Sequence, residues 1–138
     1  MTFFLLPPTK RLQDIKKFRY SFPAILWATF VTVITLIPGK DLPHVDIINF
    51  DKFGHFGVFG LLNALFLRWN YATRIFGLKS GANAGLVTGI IIAYSGLIEI
   101  LQGAFYTDRT ADIYDFIANS AGCLVAFLLL LRFPRLRR

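Results

Sequence analysis

Four apolar runs divide the chain, and its charged residues gather between them. Tyr20–Gly39 carries no charge over twenty residues and closes on Pro38-Gly39, a helix stop. Phe53–Leu67 follows, bounded by Asp51-Lys52 and by Arg68. The third run, Ser80–Ile98, continues to Phe105 past Glu99 and Gln102. The fourth, Phe116–Leu131, lies between Asp115 and Arg132. A helix of about 20 residues crosses the hydrocarbon core of a bilayer. The second and fourth runs reach that length only when their acidic starts are counted in. The pattern predicts an all-α integral membrane bundle of four transmembrane helices over residues 21–133. A basic flank over 1–20 and a basic tail over 134–138 frame it. A soluble all-α core is the alternative, but four such runs separated by short polar loops argue against it.

Composition agrees. The chain has 138 residues, 55% of them hydrophobic, including fifteen Phe, and its mean hydropathy is +0.56. A soluble domain of that size has no interior large enough to hide so much apolar surface. The net charge of +7 would point to nucleic acid in a soluble protein. Its distribution gives another meaning. Twelve of the fifteen basic residues fall on one side of the expected bundle: Lys10, Arg11, Lys16, Lys17 and Arg19; Arg68, Arg74 and Lys79; Arg132, Arg135, Arg137 and Arg138. Only Asp14 among the acids joins them, while Lys40, Lys52 and Arg109 lie on the other side. Basic loops stay inside, so the sequence predicts a cell-membrane protein with both termini cytoplasmic. Membrane lipids, with anionic headgroups among them, are the expected partners, and no nucleic acid is. The single Cys123 excludes an internal disulfide, and no Cys or His pair has zinc-finger spacing. Met1–Leu6 is too short for a signal segment and stops at Pro7-Pro8, so the first long run is expected to stay as an anchor. Within the basic flank, Leu12, Ile15, Arg19 and Phe22 share a helical face. An interfacial helix and a plain basic flank are both compatible with that.

Small residues indicate how the helices meet, because lipid supplies no hydrophobic drive between them. Gly54, Gly57 and Gly60 recur at spacing three; Gly81, Gly85, Gly89 and Ala93 at spacing four; Ala118, Gly122 and Ala126 at spacing four. These read as contact stripes joining the second, third and fourth helices, with dimerisation through one stripe as the competing reading. The oligomeric state stays open. The first helix carries Trp27, Phe30 and Ile34 instead and is expected at the periphery, with Cys123 a small packing residue.

The remaining polar groups converge in depth. Asp51 and His55 lie four apart, as do Asp115 and Asn119, so each pair shares a helix face. Glu99 and Gln102 sit three apart near the end of the third run, and Arg109 and Asp112 occupy the last loop. At about 1.5 Å rise per residue, His55 and Asn119 lie roughly 6 Å inside their Asp-marked entrances, and Glu99 about 8 Å before the end of its helix. An ionisable group at such depth is costly and faces a partner or a cavity. Taken singly, Asp51, Asp112 and Asp115 suit helix caps, Glu99–Arg109 an ion pair and His55 a satisfied core histidine. Taken together, Asp51, Lys52, His55, Glu99, Gln102, Arg109, Asp112, Asp115 and Asn119 read as one binding pocket on the extracytoplasmic side.

The order Asp51-Lys52-Phe-Gly-His55, Glu99-x-x-Gln102, Phe105, Arg109, Asp112, Asp115, Asn119, Gly122 resembles the VanZ-like membrane protein family, known for a teicoplanin-resistance protein. The resemblance covers about Pro38 to Leu131; DKxxH alone is weak, and the combined spacing is strong. Phe59 departs from it, since many members have a tyrosine there. The resemblance implies a short multi-helix membrane protein with a link to teicoplanin susceptibility, and no defined biochemical activity. The residues themselves support three functional classes. The first is binding of a lipid-linked or phosphate-bearing envelope component, with Arg109 and Lys52 toward phosphate and apolar walls toward the tail. The second is acid-base chemistry with His55, Glu99 and Asp115 as catalytic candidates, or metal-assisted chemistry on Asp51, His55, Glu99 and Asp115. No hydrolase motif accompanies these residues, and the sequence assigns no metal and no cofactor. A channel or transporter ranks last, because only Asn63, Thr29, Thr32, Thr88 and Ser120 continue the polar path inward.

Overall fold

The computed structural model describes residues 8–35, 50–74, 76, 80–105 and 112–137. They form four α-helices, α1 (Pro8–Thr35), α2 (Phe50–Thr73), α3 (Ser80–Phe105) and α4 (Ile113–Arg132), with a 3-10 turn at Pro134–Arg137. The chain is therefore all-α, as its runs require. Lys10–Thr35, Gly81–Ala104 and Ile113–Arg132 are long and apolar enough to cross a membrane. At 24 residues α2 is also long enough, about 36 Å at the helical rise. Asp51, Lys52, His55, Asn63, Arg68 and Asn70 dilute its apolar character. It can carry them because it occupies the centre of the bundle. It packs most extensively on α4 and also on α1 and α3, whereas α1 meets α3 only lightly.

Apolar residues cover both the inside and the outside. Val31, Phe59, Leu62, Leu67, Ala84, Val87, Ile91, Cys123 and Leu130 form the buried core. Large apolar side chains such as Leu26, Ile90, Leu97, Ile100, Ile117 and Leu128 stand exposed around it. Lipid is the solvent that such a surface fits. Polar ties mark the layers of the interior. Asn63 Nδ2 donates to Thr88 Oγ1 at 3.1 Å and to the Cys123 carbonyl at 2.8 Å, joining α2, α3 and α4. Trp27 Nε1 donates to the Val58 carbonyl at 3.1 Å and seats α1 on α2.

Two readings of the small residues are corrected here. Among the described residues, one pair of glycines brings backbones together: a Cβ on Gly60 would lie 3.2 Å from the Gly122 carbonyl oxygen, and one on Gly122 would collide with the Phe56 carbonyl oxygen. Gly54, Gly57, Gly81, Gly85 and Gly89 face open space. The stripe on α3 thus looks away from its neighbours, and the one on α2 touches α4 only through Gly60. A run of small residues makes a flat surface without specifying what lies against it.

The bundle runs up, down, up, down. At one end the last residue of α1 meets α3 through Gln102 Nε2 donating to the Thr35 carbonyl at 2.6 Å. At the other, the Arg137 guanidinium lies 4.6 Å from the Tyr71 ring centre and donates to the Leu130 and Leu131 carbonyls at 2.6 and 2.8 Å. Those contacts satisfy carbonyls that the end of α4 leaves open. The basic flank is helical from Pro8 and continuous with the first span through Pro23. The expected stop at Pro38-Gly39 lies outside the described residues.

Candidate functional site

Three helix ends build one polar layer: the starts of α2 and α4 and the last two turns of α3. Asp112 caps α4 with extended backbone, φ −101° and ψ 114°, and its Oδ1 accepts the Tyr114 N–H at 2.8 Å. Lys52, on the first turn of α2, reaches across with Nζ 3.2 Å from Asp112 Oδ2 and 3.0 Å from Asp115 Oδ1. The same ammonium stands 5.8 Å from the centre of the Tyr114 ring. The Tyr114 N–H, and after it Lys52, hold the Asp112 carboxyl below the usual aspartate range. A group of depressed pKa contributes stability above its unfolded value and loses it as pH falls. An Asp112→Ala variant should therefore melt below the parent at neutral pH, with the gap closing as pH drops through the aspartate range. A gap of constant size between neutral and acidic pH would show that the carboxylate is not the source.

One turn deeper, His55, Asn119 and Glu99 form a chain. Asn119, fully buried, donates from Nδ2 to Glu99 Oε1 at 3.1 Å. Its Oδ1 therefore faces His55 Nδ1, 3.1 Å away. An amide oxygen only accepts, so the imidazole must donate from Nδ1. That assignment leaves Nε2 toward the entrance, 3.6 Å from Asp51 Oδ1 and 3.8 Å from Asp115 Oδ2. Glu99 Oε1 also lies 3.6 Å from His55 Nδ1. Glu99 and Asp115 are buried, at 5% and 8% exposure, while the Asp51 side chain is 76% exposed and forms the rim. Asp51, His55 and Asp115 each bring one ligand-type atom within 4.8 Å of the others, a grouping that can hold a metal ion.

Seven of the nine residues singled out in the sequence thus meet: Asp51, Lys52, His55, Glu99, Asp112, Asp115 and Asn119. Gln102 does not join them. It is buried, but a spacing of three turns it about 60° from Glu99 on the helix, and its amide ties α3 to α1. Arg109 lies outside the described residues. The position of Phe59 is in the core, its ring 6.2 Å from that of Tyr94, whose hydroxyl pairs with Thr32 at 2.6 Å.

The sequence led to an expectation of apolar walls for a tail but did not indicate which residues form them. A groove of about 350 Å³ opens between α3 and α4, lined by Gly96, Glu99, Ile100, Asp112, Ile113 and Phe116. Its edges are exposed, Ile100 by 64% and Ile113 by 62%. Isoleucine and phenylalanine on a spanning helix look the same whether they face lipid or line a groove, so no signal was available. The one small clue is Gly96, where a Cβ would press on the Phe116 ring at 3.2 Å.

The family model described as VanZ/LLP1 matches residues 1–134. No curated protein and no solved structure matches the chain.

Proposed function

This chain belongs to the VanZ/LLP1 family, and we propose that it is an envelope protein that takes up a lipid-linked or phosphate-bearing amphiphile at its polar layer. The observation that supports this is the groove between α3 and α4. Two carboxylates, Glu99 and Asp112, stand at its head, and Gly96, Ile100, Ile113 and Phe116 make its sides. A ligand suited to it has a polar head and a hydrocarbon tail, and would enter sideways from the bilayer. Through such a component the protein would influence teicoplanin susceptibility, the phenotype that the family resemblance implies. The test is titration of a polyprenyl phosphate onto the purified chain in detergent. Ile100→Trp, which fills the groove from an exposed edge, should weaken binding at least tenfold without changing the melting temperature. Equal binding by the variant and the parent would remove the groove from the reading.

The basic ends supply the topology in this proposal: both termini are cytoplasmic, and the polar layer lies under the outer surface. Cysteines placed at Arg135 and at Asp51 should then label from opposite sides of intact cells, Asp51 from outside. Labelling of position 135 from outside would invert the assignment.

A second reading is membrane-embedded catalysis. It is favoured by His55 lying within 4 Å of both Glu99 and Asp115, a histidine between two carboxylates of different surroundings. Turnover of a lipid-linked phosphate substrate, lost in Glu99→Gln, is the result that would put this reading first.

A further inference from the structure

Among the described residues the polar layer holds four carboxylates, on Asp51, Glu99, Asp112 and Asp115, against Lys52 and His55, little positive charge for the ligand proposed above. The Lys52 ammonium is already committed to two of them, at 3.2 and 3.0 Å. A phosphate entering along the groove would meet Glu99 and Asp112 first. Like charges at that range in a desolvated setting repel strongly.

His55 shows where compensation fits. Asn119 fixes the imidazole as an Nδ1 donor, and Glu99 fixes Asn119 in turn. Nε2 is then turned to the space it shares with Asp51 Oδ1 and Asp115 Oδ2, at 3.6 and 3.8 Å. In the neutral imidazole three acceptors converge there with no donor among them. A histidine held at one nitrogen by a hydrogen-bonded amide, with the other nitrogen turned to carboxylates, is how proteins present imidazole to a metal. Ligands at about 2.1 Å from a six-coordinate ion stand roughly 3 Å apart in adjacent positions. The two separations from Nε2 need to close by less than 1 Å, all three ligand atoms lie within 4.8 Å of one another, and Asp51 is exposed at the rim.

We infer that His55, Asp51 and Asp115 bind a divalent cation of the manganese class in the polar layer, between the starts of α2 and α4. An imidazole nitrogen suits a transition-metal ion, and two carboxylate oxygens favour manganese among these. Three protein ligands leave positions open for water or for phosphate oxygens. The Lys52 contact to the other Asp115 oxygen orients that carboxylate, leaving Oδ2 for the ion. The cation supplies the charge that lets a phosphate headgroup sit beside Glu99 and Asp112. The part it plays toward phosphate rests on the proposed function; the site itself does not.

The experiment uses the full chain in detergent and Mn²⁺ alone as the probe, followed by electron paramagnetic resonance. One ion per chain is expected, with nitrogen coupling from a single imidazole in its pulsed spectrum. His55→Gln and Asp115→Asn should each weaken binding at least tenfold. Absence of stoichiometric Mn²⁺ binding to the folded parent chain, or a bound ion without nitrogen coupling, would overturn the site, and the parent measurement does not depend on any variant folding. A polyprenyl phosphate is then titrated with Mn²⁺ and with chelator. Tighter amphiphile binding with Mn²⁺ supports the whole inference. Mn²⁺ binding without amphiphile binding in either buffer keeps the site and rejects the phosphate reading. Equal amphiphile binding in both buffers keeps the phosphate reading and rejects the cation's part in it.

Discussion

Gly122→Ala should destabilise the bundle by about 3 kcal/mol, the upper end of what overpacking costs. The added methyl would fall on the Phe56 carbonyl oxygen, and Gly60 closes the same crossing from the other side, so neither helix has a side chain that can swing away. A main-chain carbonyl moves only if α2 moves, and α2 is the helix on which the other three pack. The loss should appear as a fall in the melting temperature of the purified chain in detergent. Gly85→Ala and Gly89→Ala supply the contrast. Open space surrounds both, so each should match the parent or exceed its stability by up to about 1 kcal/mol, the helix propensity that alanine gains over glycine. A Gly122→Ala protein that melts with the parent would mean that α2 and α4 cross with more room between them.

That contrast also marks the limit of what the sequence could tell. Gly85, Gly89 and Gly122 sit in patterns of the same kind, yet only Gly122 touches a neighbouring backbone. Lipid tails and helix neighbours are equally apolar, so the outward face of a spanning helix has no distinguishing composition. The ionisable layer was legible for the opposite reason. Asp115, Glu99 and Asn119 cannot face hydrocarbon without heavy cost, so their depth along the chain nearly dictates that they face one another. Gln102 was placed too simply, since sharing a turn with Glu99 is not sharing its direction. The reach of α2 was underestimated because its apolar run ends at Leu67. The helix continues to Thr73 with Arg68 exposed and Asn70 buried, for the end of an apolar run is not the end of a hydrogen-bonded helix.

Asn119→Leu should cost about 2 kcal/mol and remove amphiphile binding together. Hydrogen bonds to charged groups are worth roughly 1.5–3 kcal/mol in soluble proteins, while interhelical bonds in membranes average nearer 0.6 kcal/mol. The substitution removes one bond of each kind, to the Glu99 carboxylate and from His55 Nδ1, at a position with no exposure to water. It leaves Glu99 buried with no donor from α4, and that stranded acceptor carries most of the loss. Glu99→Leu in the same chain should therefore restore most of the stability, since replacing both partners by apolar groups of similar shape removes the orphan as well as the bond. Binding should not return, because His55 would still lack the amide that fixes its tautomer. A double variant as unstable as Asn119→Leu alone would place the cost in packing around residue 119. Recovery of binding along with stability would show that the orientation of His55 does not depend on Asn119.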